Sequence, residues 1–149
     1  MYKKILVPLD GSELAEAILP QVRMLAQCAD GEIQLLRVTS YPLYDYAAAD
    51  VMLVESMVEA IKNDAQQYLD RIAGYLRLNG LRVTTAIREG AVADNILDYA
   101  DHNEIDLIAM STHGRSGLGR WLIGSVADRV VHGAKVPVLL VRPTLDAGE

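Results

Sequence analysis

Between Ser111 and Arg120 the chain gathers three glycines, three hydroxyl residues and two arginines: Ser111-Thr112-His113-Gly114-Arg115-Ser116-Gly117-Leu118-Gly119-Arg120. Few structural turns need that composition. Glycine admits positive φ and close backbone approach, while hydroxyls and exposed amides donate to phosphate oxygens. Gly124 and Ser125 follow, either one turn inside the next helix or at its true start, where unpaired amides favour an anion. The chemistry open to such a segment is the holding of a polyanion. A second candidate, Asp10 in Asp10-Gly11-Ser12, is a carboxylate able to accept from a pair of sugar hydroxyls, and its spacing to Glu13 also fits a helix-capping box.

Two familiar phosphate loops do not fit. A Walker loop needs Gly-Lys-Ser/Thr at the end of its glycine run, and here Gly124-Ser125 has no lysine between. A dinucleotide fingerprint places its glycines after the first strand, whereas Gly114, Gly117 and Gly119 come late in the chain. His113 has no His, Cys or paired carboxylate at metal-ligand spacing, which favours a contact to phosphate or bridging water over a metal or acid role. Arg115 and Arg120 could be solvated surface charges, but in a glycine-rich loop the preferred expectation is that at least one reaches phosphate. Trp121 and Leu122 are expected to pack the following helix. Ser116, Gly117 and Gly119 give the loop freedom to close over phosphates.

The elements that must position these residues are readable from periodicity. Lys3 to Leu9 is a nearly continuous apolar run before a turn, as a strand buried on both faces would be. Leu14, Ile18, Val22, Leu25 and Ala29 step by three or four, predicting a helix over Glu13 to Ala29 that Pro20 kinks without breaking. Glu32 to Val38 is a second strand. A loop with Tyr41, Tyr44 and Tyr46 follows, its rings expected to pack on the next helix. That helix runs from Asp50 to Leu78 with Val54, Val58, Ile61, Ala65, Tyr68, Ile72 and Tyr75 on its stripe, and Asn79-Gly80 ends it. Leu81 to Arg88 alternates like an exposed edge strand. A helix over Ala91 to His102, a buried strand over Ile105 to Met110, a helix from Trp121 to His132 and a strand over Val136 to Val141 complete the order.

Strands alternating with helices imply right-handed crossovers and one five-stranded parallel sheet, order 3-2-1-4-5, with helices on both faces. The whole chain, 1–149, is expected to be one α/β domain. With 149 residues, 51% of them hydrophobic and no Phe, it can bury an aliphatic core. Ligands in such a sheet collect at the carboxyl ends of the strands where the winding reverses, which selects the loops after strands one, two and four.

A net charge of −6 argues against wrapping nucleic acid. The N-terminal MYKKILVPLD is too short in apolar residues for a signal peptide, and no apolar run reaches membrane-spanning length, so a cytoplasmic location is expected. The single Cys28 excludes an internal disulfide and is expected to be a small buried hydrophobe.

The spacing of Gly114, the nine residues from Arg115 to Ile123, and Gly124-Ser125 resembles the motif of the universal stress protein family in its ATP-binding branch: Gly, two residues, Gly, nine residues, Gly, then Ser or Thr. The opening ILVPLDGSE and closing VPVLLVRP resemble that family's first and last strands. Ser111 occupies the first glycine position, adding a Cβ beside the ribose and disfavouring positive φ. The resemblance implies that Asp10 and the Ser111 backbone hold ribose, that the Val38 backbone meets adenine, and that Pro8 and Met110 line the base and sugar pocket. It implies that His113, Gly114, Gly124, Ser125 and Val126 face the triphosphate, with Mg2+ or Mn2+ bridging its oxygens rather than held by protein side chains.

An apolar last strand at a sheet edge would be an aggregation hazard unless covered, and two-fold pairing of Val136 to Val141 would cover it; the resemblance points to the same homodimer. Binding is better supported than catalysis, since no residue stands out as a base for an attacking water. One rival is a dimeric interaction scaffold of this fold that binds no nucleotide. Another, a phospho-receiver, lacks its residues: Asp10 is alone after strand one, Arg88-Glu89 follow strand three, and Val136-Pro137-Val138 open strand five.

Overall fold

The computed structural model describes residues 1–41, 50–113 and 123–143. Five parallel strands, β1 (Lys4–Pro8), β2 (Glu32–Thr39), β3 (Arg82–Glu89), β4 (Leu107–Ser111) and β5 (Val138–Val141), form one sheet of order β3-β2-β1-β4-β5. The expected α/β fold and strand order are those observed. β3 and β5 are the edges, as the alternation of the first and the strand order for the second predicted.

The pleat sends alternate residues into two cores. Ile5, Val7, Ile33, Leu35, Leu107 and Ala109 face one core, covered by α1 (Glu13–Glu16), α2 (Leu19–Ala29) and α3 (Val51–Leu78). Leu6, Leu36, Ile108 and Met110 face the other, under α4 (Val92–His102) and α5 (Ser125–Gly133). Winding is leftward through α1 to α3 and rightward through α4 and α5, so the reversal lies between β1 and β4. Among the described residues no helix is long and apolar enough to cross a membrane.

Five local expectations are corrected. The first helix is broken rather than kinked: α1 ends at Glu16 and α2 restarts at Leu19, with Pro20 in its first turn. Proline cannot donate to the Glu16 carbonyl, whereas at a helix start its missing N–H costs nothing. The α1 cap is Ser12, whose Oγ accepts from Ala15 N at 3.1 Å; Asp10 does not cap it. Cys28 is exposed, because the buried stripe of α2 runs through Val22, Ala26 and Ala29.

The stripe of α3 is also rotated and shorter than predicted. Ala65, Leu69, Ile72, Ala73 and Leu76 are buried, while Ile61 and Tyr75 are 40% and 53% exposed. Twenty-eight helical residues span about 42 Å against about 26 Å for an eight-residue strand, so the N-terminal turns overhang the sheet. Tyr41 shares a 3.2 Å hydrogen bond with Thr39 Oγ1, while Tyr44 and Tyr46 lie outside the described residues. α5 begins at Ser125, not at Trp121; Trp121 and Leu122 lie outside the described residues, and Ile123 and Gly124 precede the helix.

Candidate functional site

The carboxyl end of β1 turns sharply into α1. Asp10 Oδ1 accepts from Ser12 N at 2.9 Å and from Ser12 Oγ at 2.6 Å. Gly11 sits at φ 88, a conformation that L side chains rarely adopt. This Asx turn holds the Asp10 carboxylate at the mouth of the strand while Ser12 does the capping. Leu9 N donates to Leu36 O at 2.9 Å, tying the turn to β2 and bringing Val38 alongside.

A second device joins β4 to α5. Thr112 N donates to Val141 O and Gly124 N donates to Thr112 O, both at 2.8 Å, so the chain leaving β4 and the chain entering α5 meet. A Cβ on Gly124 would lie 2.9 Å from Thr112 O. Gly124 is therefore required by close approach; its φ of −58 is open to any residue. It is also the N-cap of α5, with no side-chain cap bond, and the first ladder bond runs from Asp128 N to Gly124 O at 2.9 Å. The amides of Ser125, Val126 and Ala127 consequently have no partner within the helix, at the end where the dipole is positive.

Ser111 is the last, buried residue of β4 and is not among the positive-φ residues. The strain expected from a side chain here does not arise, because this position is extended. Its Oγ accepts from His113 N at 3.5 Å.

Between the two devices lies a cavity of about 240 Å³ whose lining includes Pro8, Asp10, Val38, Met110, Ser111, His113, Gly124, Ser125 and Val126. The structure thus brings together nine candidates from four separate stretches of chain. Gly114, Arg115 and Arg120 lie outside the described residues. Sequence reasoning missed Leu9, Ala15, Leu36, Val92, Ile96, Thr112 and Ala127, which also line it. Val92 and Ile96 come from α4, whose apolar stripe marks a core helix and carries no sign that its first turns border an opening. Thr112 was treated only as a spacer.

Near the Asp10 turn, the guanidiniums of Arg37 and Arg71 lie 5.6 and 5.3 Å from the centroid of the Tyr68 ring. Arg71 also pairs with Glu16 at 3.3 Å. Burial, then the Glu16 carboxylate, pushes the Tyr68 hydroxyl well above the usual phenol range. Among the described residues no three His, Cys, Asp or Glu side chains gather to hold a metal ion.

The fold and cavity define a class: an open, doubly wound parallel α/β domain with a ligand-sized opening where the winding reverses. The model of the universal stress protein family matches residues 1–142, and the chain belongs to that family. It is 32% identical over 142 residues to universal stress protein MJ0531 of Methanocaldococcus jannaschii, covering 95% of this chain and 83% of that one. The solved structure of MJ0577 from the same organism superposes with a TM-score of 0.85 at 29% identity, over 96% of this chain and 97% of that one. Two more distant structures share the fold. One is a universal stress protein in complex with cAMP, at TM-score 0.64 and 20% identity over 95% of this chain and 97% of that one. The other is an Arabidopsis thaliana family protein with AMP bound, at TM-score 0.71 and 18% identity over 97% of this chain and 94% of that one.

Proposed function

We propose that this chain is a nucleotide-binding domain whose ligand is ATP, accompanied by Mg2+ or Mn2+, and that occupancy alters the surface it presents to regulatory partners in a cytoplasmic stress response. The carrying observation is the uncapped N-terminus of α5, packed through Gly124 against Thr112 O and opening on a cavity that Asp10 borders from the other side. Three amides without a partner inside the helix suit phosphate, the carboxylate suits the ribose hydroxyls, and Pro8, Val38 and Met110 supply an apolar seat for the base and sugar. His113, Gly124, Ser125 and Val126 face the phosphates in this reading, with Gly114 and Arg115 assigned there by the family motif. The metal would be held by phosphate oxygens and water, as magnesium commonly is. That two proteins of this fold carry AMP and cAMP supports a nucleotide as the class of ligand.

Binding, with at most slow hydrolysis, is the activity proposed. A homodimer formed by edge pairing of β5 belongs to the same reading. The test is to denature freshly purified protein, identify any released nucleotide by chromatography, and titrate emptied protein with ATP and magnesium. Saturable binding is expected, lost in Gly124→Asp, whose carboxylate would oppose phosphate. Absence of saturation at millimolar nucleotide would instead favour a scaffold.

A further inference from the structure

The two ring nitrogens of His113 have unequal surroundings. Nδ1 shares a 2.9 Å hydrogen bond with Thr112 Oγ1. Nε2 is buried, with no partner among the described residues, and His113 lines the cavity. Enclosing a polar nitrogen without a partner is unfavourable, so its presence beside a ligand site asks for a reason. Thr112 itself is held from both sides, through its N–H by Val141 O of β5 and through its carbonyl by Gly124 N at the start of α5. Its hydroxyl is therefore delivered to the ring by backbone that already belongs to the phosphate half of the cavity.

A threonine hydroxyl has one proton. If it donates to Nδ1, the neutral ring carries its own proton on Nε2; if it accepts from Nδ1–H, Nε2 carries a lone pair. Close by, the uncapped amides of Ser125 and Val126 favour an anion. A lone pair there would oppose an anionic oxygen, whereas an N–H would bind it.

We propose that Thr112 is a positioning residue whose hydroxyl donates to His113 Nδ1 and fixes the neutral ring as the Nε2–H tautomer, so that a phosphoryl oxygen that enters the cavity and displaces what now encloses Nε2 meets a donor. The proposal rests on the nucleotide reading and adds to it a residue and a protonation state. It makes His113 neither a metal ligand nor a base, since its Nε2 lone pair is used by the proton.

Nitrogen-15 spectra of histidine-labelled, nucleotide-free protein at a pH where the ring is neutral test the first half. Wild type and Thr112→Ser are expected to show protonated Nε2 and a hydrogen-bonded, unprotonated Nδ1, and Thr112→Val to lose that Nδ1 signature and admit the other tautomer. Protonated Nδ1 in wild type, or a spectrum unchanged in Thr112→Val, would overturn the assignment. Titration tests the second half: Thr112→Val should weaken magnesium-ATP binding by roughly fivefold, the worth of one hydrogen bond, and leave adenosine binding unchanged, with Thr112→Ser restoring it. In a His113→Ala background Thr112→Val should have no further effect; an additive loss would mean that Thr112 acts without the ring. Should wild type bind no ATP, the nucleotide reading and the phosphoryl acceptor fall together, and the spectra alone decide whether Thr112 sets the tautomer.

Discussion

At the scale of single residues, the site depends on atoms brought too close for substitution. A methyl at Gly124 would press on a backbone carbonyl, which cannot swing aside as a side chain could. Gly124→Ala is expected to cost about 1–3 kcal/mol of stability by overpacking, measured by thermal or urea unfolding, and to weaken ATP binding by displacing the α5 amides. Tyr68 offers a pH-dependent test. Its hydroxyl ionises less readily in the folded protein than the usual phenol at 10.0, so the native state retains a proton that the unfolded state has shed. Stability contributed in this way is complete below about pH 10 and falls as pH rises beyond it. Wild type should therefore lose Tm more steeply above pH 10 than Tyr68→Phe does, and parallel curves would count against a perturbed phenol. Residue type alone marked Asp10 and Gly124 as candidates. What each one does needed coordinates: Asp10 builds a turn through Ser12 rather than a cap, and Gly124 is forced by distance rather than by φ.

At the scale of elements, breaks and faces were less legible than existence. Every strand and helix was anticipated within a few residues except where Pro20 divides α1 from α2. The division makes a prediction with a sign. In a helix interior, replacing proline should stabilise by up to about 3 kcal/mol, whereas at a helix start it should lose about 0.4–1 kcal/mol by freeing the unfolded chain. Pro20→Ala is expected to be mildly destabilising in equilibrium unfolding. A gain of a kilocalorie or more would show that α1 and α2 can fuse. The α3 stripe failed for another reason: apolar residues continue along the helix past the end of the sheet, and periodicity cannot tell where the covering surface stops. Ile61 keeps the pattern and is nonetheless 40% exposed.

At the scale of the whole molecule, β5 is the place where a second copy would add. Ile108 N donates to Pro137 O and Thr112 N to Val141 O, so the odd-numbered residues of this stretch turn their backbone groups toward β4. Val138 and Leu140 then direct theirs to the open edge, because the ladder alternates. In the proposed homodimer, Val138→Pro removes one outward donor at the first position of the strand, where proline is tolerated. Wild type is expected to sediment as a dimer at micromolar concentration and the variant to shift toward monomer with its circular dichroism unchanged. A wild-type monomer would remove the dimer from the reading without touching the cavity.

By itself, the sequence determined the order of strands and helices and the winding of the sheet, because hydrophobic period and crossover handedness are local or near-local rules. It also determined which loops meet, since the reversal of winding follows from that order. Only the tertiary structure decided which atoms line the opening. Val92 and Ile96 reach it from a helix with no distinguishing motif, and Thr112 acquires its place through bonds to Val141 and Gly124. Such contacts depend on the relative placement of segments distant in the chain, which packing sets and which no pattern within a segment encodes.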